Sequence, residues 1–317
     1  MHYLNIGQPD IPTPEIALQA VKKANIKVIE YSHSAGNKSF RTKLVEYYSK
    51  FSINLGTEDI IITTGGSEAI LIGFLVCLNP GDEVLVPDPY YATYEGLVAA
   101  SGATFVPVPT LPEDGFHVTA KQIEAAITPR TRVLLLNTPS NPTGAVLSQN
   151  EIDEIGEVCE RHDLWIVVDE VYADLTYGAP FCSPFDRPQL RHRTLAVSSI
   201  SKSHALPGFR AGWIASPLEV TPRLVLVAEA MLFGSQPFIE DALAVALSQR
   251  HPEVERLSSA FRERAHQLVS AFDGSTAAKA RMPEGGMFIM VDIRETGMSG
   301  EEFAWKLLND HDIVVMP

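Results

Sequence analysis

Ser199-Ile200-Ser201-Lys202, followed by Arg210 and then Gly212-Trp213, comes directly after the apolar run Thr194-Leu195-Ala196-Val197. The run reads as a buried strand, which puts the lysine just past its end. Lysine is rarely buried without a reason, because moving an ammonium out of water is costly. Two hydroxyls precede Lys202, and a guanidinium follows eight residues after it. Hydroxyls and a fork of N–H donors suit a phosphate, and a desolvated amine suits a Schiff base with an aldehyde. Pyridoxal 5'-phosphate carries both groups. A solvated lysine and a surface arginine would leave similar letters, so the reading depends on the rest of the chain.

Three other segments bear on it. Leu164-Trp165-Ile166-Val167-Val168 is a continuous apolar strand ending in Asp169-Glu170-Val171-Tyr172. A carboxylate at a strand end can pair with a protonated pyridine nitrogen, and a tyrosine three residues on could donate to a ring oxygen. A strand-terminating Asp and a core Tyr would look the same. Val133-Leu134-Leu135-Leu136 leads into Asn137-Thr138-Pro139-Ser140-Asn141-Pro142-Thr143-Gly144, a turn by its Pro and Gly punctuation, from which Asn141 could reach the same ring oxygen or a substrate carboxylate. Asp59-Ile60-Ile61-Ile62 runs into Thr63-Thr64-Gly65-Gly66-Ser67-Glu68-Ala69. Paired glycines before a helix let backbone N–H groups approach an anion at the positive end of the helix dipole. The Lys-Ser/Thr pair of a Walker loop and the third glycine of a dinucleotide fingerprint are both missing.

Apolar strands alternate with helix-length segments along the chain. Glu83-Val84-Leu85-Val86 and Thr104-Phe105-Val106-Pro107-Val108 add to the runs above, with helical patterns such as residues 94–100 between strands. The alternation predicts an α/β fold with a mostly parallel sheet covered by helices, and functional residues at strand ends. Helical stretches after Phe238 and over residues 253–272 read as the crossing into a smaller domain, with Gly285-Gly286-Met287-Phe288-Ile289-Met290-Val291 as one of its strands. Lys22-Lys23, Arg262 and Arg264 read as solvated helix faces.

Taken in order, Gly7-Gln8-Pro9-Asp10, Tyr31 with Gly36 and Arg41, Gly65-Gly66-Ser67, Pro89-Tyr90-Tyr91, Asn141-Pro142-Thr143-Gly144, Asp169-Glu170-Val171-Tyr172 and Ser199-Ile200-Ser201-Lys202 to Arg210 resemble the class I/II aminotransferases. These are fold-type-I enzymes that use pyridoxal phosphate. The resemblance implies that Lys202 anchors the cofactor and then shuttles the substrate's α-proton. It implies Asp169 as the pyridinium partner and Tyr172 and Asn141 as donors to the phenolic oxygen. Ser199, Arg210 and the backbone of Gly66-Ser67 would form the phosphate cup. Tyr91 matches the ring that stacks on the pyridine, with Tyr90 as a rival. Tyr31 matches the tyrosine that reaches the partner subunit's phosphate, which implies a homodimer, and Gly7 matches the segment lining the substrate carboxylate site. The implied division is 1–30 as an N-terminal segment belonging with the small domain, 31–245 as the large domain and 246–317 as a truncated small domain.

The resemblance leaves one position unfilled. Family members continue for several dozen residues beyond Ile313-Val314-Val315-Met316-Pro317, and that continuation carries the arginine that grips the substrate's α-carboxylate. Arg281 and Arg294 stand in the wrong motif context for it. The N-terminus also looks clipped, and the expectation is a fragment of a longer protein. The implied reaction moves an amino group between an α-amino acid and a 2-oxo acid by a ping-pong route. A β- or γ-lyase on the same scaffold and a non-catalytic regulatory module are the alternatives. Ser203-His204-Ala205-Leu206 and Met231-Leu232-Phe233-Gly234-Ser235 resemble members acting on arginine or on a broad set of amino acids with pyruvate. His204 itself reads as structural.

Composition adds exclusions. The 317 residues, 45% hydrophobic, suffice for a large core and two domains. A net charge of −14 argues against nucleic acid or anionic membranes as partners. No run of apolar residues is long enough for a membrane span, and Met1-His2-Tyr3 opens no signal peptide. Cys77, Cys159 and Cys182 lack metal-ligand spacing, so no metal is expected and a reducing cytoplasm is the default.

Overall fold

Aliphatic runs with side chains alternating between two apolar faces become the strands of one sheet. The computed structural model of the chain describes residues 1–24, 27–248 and 252–317. The sheet strands are β1 (Ile60–Thr63), β2 (Glu83–Asp88), β3 (Thr104–Pro109), β4 (Thr131–Asn137), β5 (Trp165–Asp169), β6 (Thr194–Ser199) and β7 (Gly212–Ala215). They form one seven-stranded sheet in the order β1-β7-β6-β5-β4-β2-β3. β6, β5, β4, β2 and β3 run parallel, and β7 is antiparallel to both of its neighbours.

The period of two along each strand divides the core between two faces. Ile60, Ile62, Leu134, Leu136, Ile166, Val168 and Ala196 join one cluster, with Phe40 and Leu44 of helix Lys38–Ser49 and Ile152 and Ile155 of helix Gln149–Arg161. Ile61, Val133, Leu135, Val167, Leu195 and Val197 face the other way, toward Ile70, Ile72 and Phe74 of helix Gly66–Cys77 and Leu224 of helix Thr221–Leu232. The result is a helix–sheet–helix sandwich. The order of strand addition reverses between β2 and β4: β2 leads outward to β3, and the chain then returns to β4 on the other side of β2. In open α/β sheets, ligands bind at the carboxyl ends of the strands near such a reversal.

A third cluster lies beyond the strand ends. Tyr172, Leu175 and Leu257 form it, with Ile11, Phe261, Met287 and Phe288 packed against them. It joins the N-terminal segment, the stretch after β5 and helix Leu257–Ala271. At the chain's two ends, His2–Tyr3 pairs in parallel with Ile313–Val314, and helix Gly300–His311 precedes the latter.

Two expectations need correction here. The strand read at residues 285–291 is confined to Val291–Asp292, paired antiparallel with Lys279–Ala280. Gly285 and Gly286 turn instead, Gly286 at φ +82°; the Gly285 N–H bonds Gly144 O, and the Gly286 N–H bonds Leu175 O in an isolated antiparallel bridge of Gly285 with Thr176. The helix read over 253–272 is broken into Pro252–Glu255 and Leu257–Ala271. The part of the expected crossing at 249–251, and residues 25–26 of the N-terminal segment, lie outside the described residues.

Trp213 on β7 is fully buried, and its Nε1 donates to Tyr48 Oη at 2.9 Å. Trp213→Ala removes that packing together with the partner of a buried hydroxyl. The expected loss is about 3–5 kcal/mol, read as a lower urea midpoint at unchanged m; a shift below about 1 kcal/mol would show that the site collapses around the gap.

Candidate active site

Strand register sets the site. Asn137 ends β4 opposite Asp169 of β5, and Asp169 lies opposite Val197 of β6. Ser199 lies opposite Gly212, which in turn lies opposite Thr63 of β1. The residues read as chemical therefore leave the sheet along one edge. Lys202 follows on the one-turn helix Ile200–Ser203, where the Ser199 hydroxyl accepts the Ser201 N–H at 3.3 Å. Lys202 Nζ donates to the Gly7 carbonyl, which brings the N-terminal segment across the strand ends.

The electrostatics separate the lysine from the aspartate. Burial pulls the Lys202 pKa down and the Arg210 charge adds to that, while Asp169 opposes it. A lysine that loses its proton more easily presents more free amine, the nucleophilic form, near neutrality. Burial pushes the Asp169 carboxyl up to about 6; Tyr94, Val171 and the Lys202 charge pull the other way. Tyr94 Oη donates to Asp169 Oδ2 at 2.7 Å, and the Val171 N–H to Oδ1 at 3.2 Å. The buried Tyr172 hydroxyl is pushed well up, by burial first and then by Asp169 and Tyr91, while its hydrogen bond with the Asn141 side chain acts against the rise. Asn141 is itself held: its N–H donates to Asn137 Oδ1 at 2.6 Å, and Asn137 Nδ2 donates to Asp169 O at 2.9 Å.

An anion cradle adjoins the lysine. Gly65, at φ +96°, precedes helix Gly66–Cys77, whose first-turn N–H groups have no acceptor within the helix. Arg210 has left-handed backbone (φ 51°) and reaches back, Nη2 donating to Thr64 O at 3.2 Å. A Cβ on Gly65 would fall 2.5 Å from Arg210 Nη2, and one on Gly212 would fall 2.5 Å from the Gly65 carbonyl carbon. Only glycine allows strand, loop and guanidinium to come this close.

The whole chain, residues 1–317, matches the family described as aminotransferase class I and II. The arginine–pyruvate transaminase AruH of Pseudomonas aeruginosa is 38% identical over 315 residues, 99% of this chain and 80% of that protein. The chain belongs to the class I and II aminotransferases. An aspartate aminotransferase of Musicola paradisiaca is 33% identical over 98% of this chain and 79% of its own length. Among solved structures, the aromatic aminotransferase from Pyrococcus horikoshii superposes with TM-score 0.95 at 30% identity, over 100% of this chain and 86% of that one. The Thermus thermophilus aspartate aminotransferase with maleate gives 0.93 at 31%, over 99% and 83%. The family is pyridoxal-phosphate-dependent, and its α/β fold is the one described above.

Within this aminotransferase, Lys202, Asp169, Tyr172, Asn141, Ser199, Arg210, Gly66, Ser67 and Gly7 converge on one edge of the sheet. Tyr91 stands edge-on to Tyr94 at 5.4 Å and 88°, one ring from Asp169. Tyr90 turns away to Phe105, 4.6 Å between centroids, and to the Glu95 carboxylate. Tyr31 does not join them: it is 83% exposed, with its ring 5.1 Å from Phe233. His204 bonds Ser203 Oγ at 2.8 Å and packs 5.8 Å from the Tyr47 ring. Arg281 donates to Pro112 O at 3.0 Å, and Arg294 bridges Asp292 at 2.6 Å and Glu113 at 3.1 Å, so the 112–113 turn engages both. Arg264, read as solvated, pairs with Asp10 at 2.8 Å across an exposed surface. Among the described residues no His, Cys, Asp and Glu group is placed to hold a metal, and no helix is long and apolar enough to cross a membrane.

Sequence reading passed over Tyr94, Asn137 and Phe288. Tyr94 had one available signal, three tyrosines within five residues just past a strand. Tyr94→Phe removes the donor to Asp169 Oδ2, so the Asp169 pKa should rise above about 6. The acid limb of kcat/KM should move to higher pH while stability falls by about 0.5–1.5 kcal/mol. An unmoved acid limb would detach Tyr94 from the ionisation of Asp169.

Proposed function

We propose that this enzyme moves an amino group between an α-amino acid and a 2-oxo acid, with pyridoxal 5'-phosphate held at Lys202. The observation that carries this is the half-buried Lys202 amine, its proton loosened by burial, close enough to the buried Asp169 carboxyl for each to shift the other's pKa. The residues fit the cofactor: a glycine cradle at a helix N-terminus with Arg210 and Ser199 for a dianion, a buried carboxylate for a pyridinium, and paired Tyr172 and Asn141 for a phenolic oxygen. Bound there, the cofactor supplies an electron sink for charge left at the substrate's α carbon.

The chain's own groups divide the work. Lys202 Nζ would hold the aldehyde and, as a free amine, would carry the α-proton. Asp169 holds the ring nitrogen's proton by a charge-assisted hydrogen bond. Tyr91, held against Tyr94, offers the ring face. Gly7 brings the N-terminal segment to the substrate side. Phe233, exposed beside Tyr31, and the exposed Met231 support a homodimer in which Tyr31 crosses to the partner's phosphate. The division into 1–30 with a small domain, 31–245 and 246–317 is part of the same reading. So is a cytoplasmic setting, which the free thiols Cys77, Cys159 and Cys182 suit. Arginine with pyruvate is the first substrate pair to test, on the similarity to AruH.

Borohydride reduction of the loaded enzyme should fix the cofactor to Lys202 in peptide mapping, and Lys202→Ala should abolish transfer. Asp169→Ala should keep bound cofactor yet lose far more than tenfold in turnover; a loss within tenfold, about 1.4 kcal/mol on the barrier, would place the electron-sink partner elsewhere. Release of free ammonia in step with 2-oxo acid would overturn the transferase reading in favour of elimination.

A further inference from the structure

The turn at residues 110–118 carries a histidine with a carboxylate on each ring nitrogen. His117 Nδ1 lies 2.6 Å from Glu151 Oε1, and Nε2 lies 3.0 Å from Glu284 Oε2. A neutral imidazole has one N–H and can satisfy only one of two ionised carboxylates; the imidazolium donates to both. Glu284 first, then Glu151, outweigh the burial that opposes the charge, and hold the His117 pKa up at about 9. Both glutamates lie below their ordinary value. Arg281 also acts on Glu284, and the turn's own Asp114 accepts the His117 N–H at its backbone carbonyl.

The two carboxylates belong to different parts of the fold. Glu151 sits in the first turn of helix Gln149–Arg161 and is fixed there, its Oε2 accepting from Ser148 N at 2.7 Å and Ser148 Oγ at 2.6 Å. Glu284 belongs to the turn that precedes Met287 and Phe288. That turn is tied to both flanks of the active site. Glu284 and Gly285 N–H groups donate to Gly144 O at 3.0 Å, Glu284 Oε2 accepts from Val146 N at 2.9 Å, and Gly286 N–H donates to Leu175 O at 2.8 Å. Gly144 closes the Asn141 turn, and Leu175 follows Tyr172. Phe288 then stands edge-on to Tyr172, 6.5 Å between centroids, and fills the space at Gly7, where a Cβ would fall 2.3 Å from its Cζ. Gly7 O is the acceptor of the Lys202 amine.

We propose that His117 is a positioning residue of this active site: as a charged bracket between Glu151 and Glu284 it sets where residues 284–288 lie, and through Phe288 and Gly7 where the Lys202 amine and the bound amino acid are held. The proposal rests on the reading of Lys202 as the reactive amine. Without the cation the neutral ring can donate to only one of the two carboxylates, so the tie between helix Gln149–Arg161 and the turn carrying Glu284 is lost on one side, and that turn keeps only its bonds to Gly144, Val146 and Leu175. His117 is raised above its unfolded value of 6.5, so its contribution is complete below that pH and is lost as pH rises through about 9.

The test compares wild type with His117→Gln, Glu284→Gln and the double variant, as full chains loaded with pyridoxal phosphate. At neutral pH each single variant should raise KM for the amino donor about tenfold with kcat changed less than about threefold, and the double variant should add little to either. For His117→Gln the variant-to-wild-type ratio of KM should fall toward one above pH about 9, because wild type loses the same charge there. The rate of borohydride-trapped labelling of Lys202 should follow the same course. Variants that lose thermal stability but keep KM and labelling rate would overturn the proposal, as would a KM ratio equal at every pH. If His117→Gln does not fold, Glu284→Gln carries the comparison, because its amide oxygen still accepts from Val146 and only the charge is gone. Failure of wild type to label at Lys202 would sink the reading of the amine instead; the bracket would still be judged by whether wild-type thermal stability, unlike that of the variants, drops as pH passes about 9.

Discussion

Two opposite charges taken out of water at the ends of neighbouring strands, Asp169 and Lys202, set the terms for everything around them. Neither is tolerable alone, because desolvating an unpaired charge costs far more than a typical buried hydrogen bond returns. Their mutual attraction only partly offsets burial: the aspartate remains raised, to about 6, and the lysine remains lowered. The rest of the site supplies what is missing. Tyr94 and the Val171 N–H satisfy the carboxylate, Gly7 O receives the ammonium, and Arg210 keeps the lysine from being too comfortable as a cation.

Holding that pair requires backbone to approach backbone. β7 runs against the parallel direction between β1 and β6, and Gly212 lies in register with both Thr63 and Ser199. A side chain at Gly212 would strike Gly65, and one at Gly65 would strike the Arg210 guanidinium. The glycines act here by their lack of a side chain, which lets the strand edge, the helix N-terminus and a cation share one small volume. The same logic applies at Gly7, where the Phe288 ring occupies the space a side chain would need. Rigidity of the sheet beneath fixes these approaches, since its residues pack on both faces and cannot shift singly.

Beyond the strand ends the architecture relies on polar ties more than on apolar packing. The third cluster is small, with Tyr172, Leu175 and Leu257 at its centre. The turn at 284–286 is placed by backbone bonds to Gly144 and Leu175 and by the His117 bracket, and the 112–113 turn by Arg281 and Arg294. Apolar contacts are non-directional, whereas hydrogen bonds and ion pairs fix orientation. A wall of the active site built this way has its position set by charge, which ties its geometry to protonation.

The sequence by itself determined the sheet and the family, and it singled out residues that the fold brings together at the strand ends. Continuous apolar runs ending in Asp169, Asn137 or Ser199-Ile200-Ser201-Lys202 can hardly be placed anywhere but at the ends of buried strands, and glycine pairs such as Gly65-Gly66 declare a close approach. Local pattern was enough because each signal lies within a few residues. Only the tertiary structure decided which partners these residues meet. Tyr94 reads as one more tyrosine at the start of a helix until the fold sets it against Asp169, 75 residues away. Gly285-Gly286 reads as the start of a strand until the Gly144 and Leu175 carbonyls claim its N–H groups. His117 stands in an unremarkable turn, and its two carboxylates lie 34 and 167 residues further on. No local pattern encodes such distances, because long-range pairing is settled by how whole layers pack. The strands and their end residues could be read from neighbours in the chain; the bonds that tune their charges could be read only from neighbours in space.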